Sequence, residues 1–282
     1  LFIILLQLII LNGVQSQTQH KVAVLLSDKA LDFGFNYMIN NGVINAQRYF
    51  NMTNIHVLEN IKQDIFNQTV EGLINDGYDG IFASSIEMTA PTRAFARQYP
   101  KVRFLARSGT FANTTNMSFF TYNIGISYYI VGLVAGLMTK TGNIGYIGPG
   151  LPMLANYNAN ALFVGARRAN RTDIPPVKVT SINTNSWIDE DVVAGGTQTL
   201  LDKGVDFIGN NQDDMTAEIM MIRAGLMGLG TNGFPQSQLY GQSIGTSIIN
   251  DWSQVIINFV NLVVTNSSTS RKDYGDFGNG FL

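Results

Sequence analysis

The chain has 282 residues, of which 45% are hydrophobic and 13% are charged, a length that suits one large domain or two lobes of ordinary size. The formal net charge is −2 and the lysines and arginines are scattered, which argues against nucleic acid or an anionic membrane surface as a partner. Cysteine is absent, so stability must come from a hydrophobic core rather than from disulfide bonds.

Residues 1–16 have the pattern of a signal peptide. An apolar run covers 1–11, and the small residues Val14 and Ser16 suit cleavage after Ser16. A transmembrane helix needs about 20 apolar residues, so the run is too short to span a bilayer, and a buried first strand or helix is the alternative. We expect a secreted chain. Because a basic segment and an initiator methionine are missing before Leu1, we also expect the N-terminus to be incomplete.

The first half of the chain alternates short β-branched runs with longer amphipathic stretches. This alternation is typical of βαβ units and a mostly parallel sheet. We predict strands at 21–26, 54–58, 79–83 and 102–106, with helices at 36–50, 63–75 and 88–98. A polar stretch at 113–118 then interrupts the pattern, and we place a crossing to a second lobe near Tyr122.

The second half repeats the same architecture. We predict helices at 125–139, 158–169, 190–203 and 215–224, with strands at 143–147, 177–183, 205–209 and 225–229. A strand at 246–249 and a helix at 251–264 return to the first lobe. The expected fold is α/β, with two doubly wound parallel-sheet lobes, 20–122 with 246–282 and 123–245, and a cleft between them. Residues 274–282 read as the start of a further turn and strand, which predicts a truncated C-terminus.

Catalytic motifs are missing from the sequence. A nucleophilic triad needs a histidine base, and the chain has only His20 and His56, with no GxSxG, HExxH or CxxC motif. A glycine-rich turn follows the predicted strand at 143–147, but Met153 and Pro152 break the spacing of a dinucleotide loop beginning at Gly148. We therefore expect a binding protein without a metal or cofactor.

Polar and aromatic residues recur just after the carboxyl ends of predicted strands, where open α/β sheets bind their ligands. These residues can also be explained by structure alone. Asp32 or Asn36 would cap a helix, and Phe35 or Trp187 would pack in the core. Asp213 would interact favourably with the positive N-terminus of a helix. The candidate ligand-binding residues are Asp32, Phe35, Asn36, Ser84, Ser85, Glu87, Trp187, Asn211, Asp213, Asp251 and Trp252.

This set suits a planar, uncharged, hydrogen-bonding ligand, because aromatic faces stack on such a molecule while carboxylates and amides pair with its donors and acceptors. Phosphate would prefer arginine, and none stands in these segments. The composition of the site therefore favours a nucleoside over a nucleotide.

Several segments together resemble a known family. The turn at 32–36, the stretch at 132–142 and the pair Asp251-Trp252 are similar to the basic membrane protein family of ABC-transporter substrate-binding lipoproteins, of the purine nucleoside receptor type. The segment at 210–213 keeps that family's aspartate, Asp213, but has Asn211 where histidine is usual. The resemblance covers roughly residues 21–264.

The resemblance implies a type 1 periplasmic-binding-protein-like fold that closes on a purine nucleoside or nucleobase. It further implies that Phe35, with Trp252 or Trp187, stacks on the base, and that Asp32, Asn36 and Asp213 form hydrogen bonds. A bacterial member would pass its ligand to a membrane transporter, but the lipid-anchoring cysteine is absent here. The alternatives are the ectodomain of a membrane receptor and a nucleoside-processing enzyme.

Six sequons are compatible with a eukaryotic secretory route. The candidate glycosylation sites are Asn51, Asn67, Asn113, Asn116, Asn170 and Asn266.

Overall fold

The computed structural model describes residues 20–52, 54–108, 114–149, 151–230, 237–267, 271–276 and 278–282. The predicted signal peptide at 1–16 and the candidate glycosylation site Asn113 lie outside these residues. Within the described part of the chain, no helix combines the length and the apolar character needed to cross a bilayer.

The N-terminal lobe is built on one sheet of parallel strands. Its strands are β1 (Val22–Leu25), β2 (Ile55–Leu58), β3 (Gly80–Ala83), β4 (Arg103–Arg107), β5 (Met117–Tyr122) and β11 (Lys272–Gly275). Its helices are α1 (Phe35–Phe50), α2 (Gln63–Asn75), α3 (Thr89–Gln98) and α9 (Ser253–Val264). The strand order is β11-β5-β4-β3-β1-β2, and every pairing is parallel.

The C-terminal lobe holds two smaller parallel sheets. Strands β6 (Asn143–Gly148), β7 (Lys178–Asn183) and β8 (Phe207–Asn210) form one sheet in the order β7-β6-β8, and β9 (Gly228–Gly230) pairs with β10 (Ile244–Ser247). The helices are α4 (Ile124–Met138), α5 (Pro152–Arg168), α6 (Glu190–Asp202), α7 (Thr216–Arg223) and the short α8 (Ser237–Tyr240).

The core of the N-terminal lobe lies on both faces of its sheet. In β1 every residue is buried. Val22 and Val24 pack into one cluster with α1 and α9, while Ala23 and Leu25 pack into a second cluster on the opposite face. Because successive side chains of a strand point to opposite faces, a continuous apolar run such as this one forms a central strand of a covered parallel sheet.

The C-terminal lobe depends on close packing between α4 and α5. A Cβ placed on Gly132 would lie 2.1 Å from the carbonyl oxygen of Leu162, and one on Gly165 would lie 2.0 Å from that of Tyr129. The two backbones are therefore in direct contact. Small residues on both helices allow this contact.

Three predicted boundaries differ from the structure. The polar stretch at 113–118 overlaps the start of β5, whose residues Met117 and Phe119 are buried in the core. Helix α5 begins at Pro152 rather than at 158, since proline fits the first turn of a helix, where its missing N–H is not needed. Strand β10 pairs with β9, so the return to the N-terminal lobe lies at 248–252 instead of before 246.

Candidate functional site

A cavity of about 390 Å³ lies between the two lobes, at the carboxyl ends of their strands. This volume falls within the roughly 300–1,000 Å³ of small-molecule sites. Seven of the candidate ligand-binding residues line it: Phe35, Asn36, Ser85, Glu87, Trp187, Asn211 and Asp213. Phe35 and Asn36 start α1 in the N-terminal lobe, whereas Trp187, Asn211 and Asp213 follow β7 and β8 in the C-terminal lobe.

Asp32 holds the start of α1 and does not line the cavity. Its carboxylate accepts hydrogen bonds from the backbone N–H groups of Gly34 at 2.8 Å, Asn36 at 3.0 Å and Tyr37 at 2.9 Å. It also accepts one from Nδ2 of Asn36 at 2.8 Å, which fixes the Asn36 amide. Burial raises the pKa of Asp32, and these hydrogen bonds oppose that rise. The capping interpretation of Asp32 agrees with this arrangement.

Asp213 reaches from the C-terminal lobe to the start of α1. Its backbone N–H donates to the carbonyl oxygen of Trp187 at 2.9 Å, and its carboxylate accepts a hydrogen bond from the backbone N–H of Phe35. The residue is only 8% exposed, and its Oδ1 atom has no hydrogen-bond partner. Burial, together with the nearby charge of Asp32, raises the pKa of Asp213 to about 8.

The two lobes touch where Gly34 meets Asp213. A Cβ placed on Gly34 would lie 3.0 Å from the Cα atom of Asp213. The φ of Gly34 is −134°, so glycine is needed here for the close approach of the other lobe rather than for left-handed backbone.

A buried network holds the segment that carries Asn211 and Asp213. Nδ2 of Asn210 donates to both carboxylate oxygens of Glu218, each at 3.1 Å, and the hydroxyl of Tyr128 donates to the Asn210 carbonyl at 2.6 Å. Glu218 is 2% exposed, and burial raises its pKa to about 8. The network fixes the backbone just before the two cavity-lining residues.

Arg107 is a cavity-lining residue that the sequence reasoning missed. It ends β4, and its guanidinium lies 4.4 Å from the centre of the Phe35 ring and 5.0 Å from that of Tyr122. Its Nη2 atom donates to the Tyr122 hydroxyl at 2.7 Å. An arginine therefore does stand at a strand end of the cleft. The predicted strand, 102–106, stops one residue before Arg107, although a basic residue at the end of a buried strand is a signal that the sequence contains.

Three further candidates lie outside the cavity. The Ser84 hydroxyl donates to the carbonyl of Leu25 at 2.7 Å and ties β3 to β1. Asp251 is exposed, and its carboxylate accepts from the backbone N–H of Ser253 at 2.8 Å at the start of α9. Trp252 is fully buried in the core, where its ring contacts Phe35 and four other aromatic rings. The expectation that Trp252 stacks on the ligand does not fit this position.

The candidate glycosylation sites divide by exposure. Asn51, Asn67, Asn170 and Asn266 are exposed, as an acceptor must be. Asn116 is 5% exposed, and its Nδ2 atom donates to the carbonyl oxygens of Ala96, Tyr99 and Val102. Because a glycan would be attached to that same nitrogen, we withdraw Asn116 as a candidate.

Two doubly wound lobes with a polar and aromatic cavity between them define a ligand-binding protein of the type 1 periplasmic-binding-protein-like class. A family model described as ABC transporter substrate-binding protein PnrA-like matches residues 19–274, so the chain belongs to the Bmp family. This match confirms the resemblance drawn from the sequence. Family and fold are those of binding proteins. In the described part of the chain, no group of three or more His, Asp or Glu residues is arranged to hold a metal ion.

The solved structures support the fold. A transcriptional activator of the comK gene from Bacillus halodurans has a TM-score of 0.76 at 20% identity, with 93% of this chain and 88% of that chain covered. An ABC transporter solute-binding protein from Aeropyrum pernix has a TM-score of 0.79 at 16% identity, with 93% and 75% covered.

The similar curated proteins are receptor-like. Metabotropic glutamate receptor-like protein C of Dictyostelium discoideum is 32% identical over 98% of this chain and 35% of its own length. Protein A of the same series is 31% identical over 94% of this chain and 34% of its own length. The chain thus spans about a third of the length of the curated relatives it matches.

Proposed function

We propose that this chain is the extracellular ligand-binding unit of a receptor-like membrane protein, and that it captures a purine nucleoside or nucleobase by closing its two lobes. The observation that supports the proposal most is the cavity lined from both lobes, with Phe35 and Asn36 on one side and Trp187, Asn211 and Asp213 on the other. A ligand that contacts both walls stabilises the closed form, which is how hinge closure couples binding to a signal.

The polar groups of the cavity favour a ligand with hydrogen-bond donors. Two buried acceptor atoms in its wall, Oδ1 of Asn36 and Oδ1 of Asp213, have no hydrogen-bond partner. Leaving buried polar groups unpaired costs about 1 to 3 kcal/mol each, which a ligand with amino or hydroxyl groups would recover. Trp187 is partly exposed and lines the same cavity, which suits stacking of its ring on a purine. These features fit a nucleoside or a nucleobase.

The receptor part of the proposal follows from the relatives. They match nearly the whole length of this chain, the match covers about a third of their own length, and their names are those of receptor-like proteins. A free binding protein that serves a transporter is the second candidate, and the family description favours it.

Sequencing the full-length transcript separates the two candidates. A stretch of about 20 apolar residues downstream of Leu282 supports the receptor, and a stop codon soon after the codon for Leu282 contradicts it.

The ligand is tested by a thermal-shift screen of the secreted chain against nucleosides, nucleobases, amino acids and sugars. A ligand at 100 times its Kd stabilises the native state by about 2.7 kcal/mol. We expect a shift with purines that Asp213→Ala removes and that Asp251→Ala, an exposed aspartate outside the cavity, keeps. No shift with any purine compound would refute the purine assignment. Turnover of the bound compound would instead support a nucleoside-processing enzyme.

The same secreted material also tests glycosylation. We propose glycans at Asn51, Asn67, Asn170 and Asn266, all of which are exposed. Mass spectrometry of enzymatically deglycosylated protein would show conversion of these asparagines to aspartate, and unmodified peptides at all four would refute the proposal.

A further inference from the structure

Arg107 is the one cationic group of the cavity wall without a carboxylate partner. All 20 Asp and Glu residues lie in the described part of the chain, and none forms an ion pair with Arg107. The other cation of the wall, Lys62, is paired with Asp28 at 2.9 Å. The guanidinium is held instead by the Tyr122 hydroxyl and by the faces of two aromatic rings.

These contacts leave the charge of Arg107 uncompensated. A guanidinium has five N–H donors arranged to bind carboxylate or phosphate in a bidentate manner, and the contact with Tyr122 uses one nitrogen. Asp213 interacts with Arg107 electrostatically, but burial raises the pKa of Asp213 to about 8, so its carboxyl group carries little charge at pH 7. Asp213 lines the cavity, and its Oδ1 atom is buried and has no hydrogen-bond partner.

We infer that the cavity selects a ligand with an anionic group, a carboxylate or a phosphate, bound by Arg107, and with a hydrogen-bond donor bound by Oδ1 of Asp213. The inference rests on the proposed function in that it keeps a small ligand bound between the two lobes, but it replaces the uncharged nucleoside or nucleobase by an anionic ligand. It reverses the expectation of an uncharged ligand, which depended on the absence of arginine from the strand ends. A nucleoside monophosphate and an acidic amino acid both have this pair of groups.

Matched ligand pairs test the inference by isothermal titration calorimetry. The probes are adenosine with adenosine monophosphate, guanosine with guanosine monophosphate, and glutamine with glutamate. We expect the anionic member of at least one pair to bind tenfold or more tightly than its neutral partner. Arg107→Gln should abolish this preference, and Arg107→Lys should keep part of it, because lysine retains the charge without the bidentate geometry. Lys101→Gln, an exposed cation outside the cavity that precedes β4, should change the preference less than threefold.

The outcomes separate the inference from the proposed function. A preference for a nucleoside monophosphate supports the inference and keeps the purine assignment, and a preference for glutamate supports the anionic site while refuting the purine assignment. Neutral nucleosides that bind as tightly as their phosphates, with Arg107→Gln unchanged in affinity, refute the inference alone. Binding of no probe refutes both. Circular dichroism of each variant confirms that a lost preference comes from the site rather than from unfolding.

Discussion

At the scale of single residues, the two tryptophans of the chain occupy opposite kinds of position. Trp187 is partly exposed and lines the cavity, whereas Trp252 is fully buried in the core. We predict that Trp187→Ala weakens ligand binding by about 1 to 3 kcal/mol with little change in Tm, since a stacking face is lost but no core contact. Trp252→Phe should lower Tm and leave affinity unchanged. Equal affinities for wild type and Trp187→Ala would remove Trp187 from the site.

Glu218 makes stability depend on pH. Its pKa is raised to about 8 in the folded state by burial, above the ordinary value of 4.5, although the hydrogen bond from Asn210 opposes the rise. Between these pH values the unfolded state has lost a proton that the folded state keeps, so the free energy of unfolding falls as pH rises from about 5 to 8. The burial of Asp213 acts in the same direction.

We therefore predict that Glu218→Gln reduces the loss of stability between pH 5 and pH 8 by about 1 to 3 kcal/mol, because glutamine cannot ionise. Urea denaturation at both pH values measures the difference. Glu71→Gln, on the exposed side of α2, is the control and should leave the pH dependence as in the wild type. A Glu218→Gln protein with the wild-type pH dependence would show that Glu218 is ionised in the fold.

The sequence identified part of the cavity wall but missed its cations, Lys62 and Arg107. Phe35, Asn211 and Asp213 could be predicted because each lies in the segment that follows a buried strand, and the carboxyl ends of such strands meet at one edge of a parallel sheet. Trp252 also follows this pattern, yet its ring turns inward and fills space between α1, α9 and the sheet. The direction of a side chain at a strand or helix end depends on tertiary packing, which the local pattern does not contain.

At the scale of elements, the crossing of α4 and α5 depends on glycine. A methyl group at position 132 would lie 2.1 Å from a backbone carbonyl of α5 and would force the helices apart. We predict that Gly132→Ala destabilises the protein by about 1 to 3 kcal/mol, as overpacking does. Gly72→Ala, in helix α2 with nothing within 4 Å, should instead stabilise by about 0.5 to 1 kcal/mol, because alanine favours a helix. Chemical denaturation that gave both variants the same sign would contradict this interpretation.

The periodicity of the sequence predicts long elements better than short ones. Helix α2 has the predicted bounds, 63–75, since its apolar residues recur at helical spacing and one face is buried. Strand β5 was missed because its first residues fall in a polar stretch with two sequons, one of which includes the buried Asn116. The side chain of Asn116 is polar, but in the fold its Nδ2 atom donates hydrogen bonds to three backbone carbonyl oxygens. Composition alone could therefore not place it in the core.

At the scale of the whole molecule, the two lobes approach each other at Gly34, and the proposed closure depends on this contact. We predict that Gly34→Leu weakens ligand binding tenfold or more, because the added side chain meets Asp213 only when the cleft is closed. Its Tm without ligand should stay close to that of the wild type, since an opened cleft relieves the clash.

Small-angle X-ray scattering should show a ligand-induced decrease in the radius of gyration for the wild type but not for Gly34→Leu. Gly195→Leu, on an exposed helix face with no atom within 4 Å, should behave like the wild type. A Gly34→Leu protein that compacts on binding as the wild type does would show that closure does not require this contact.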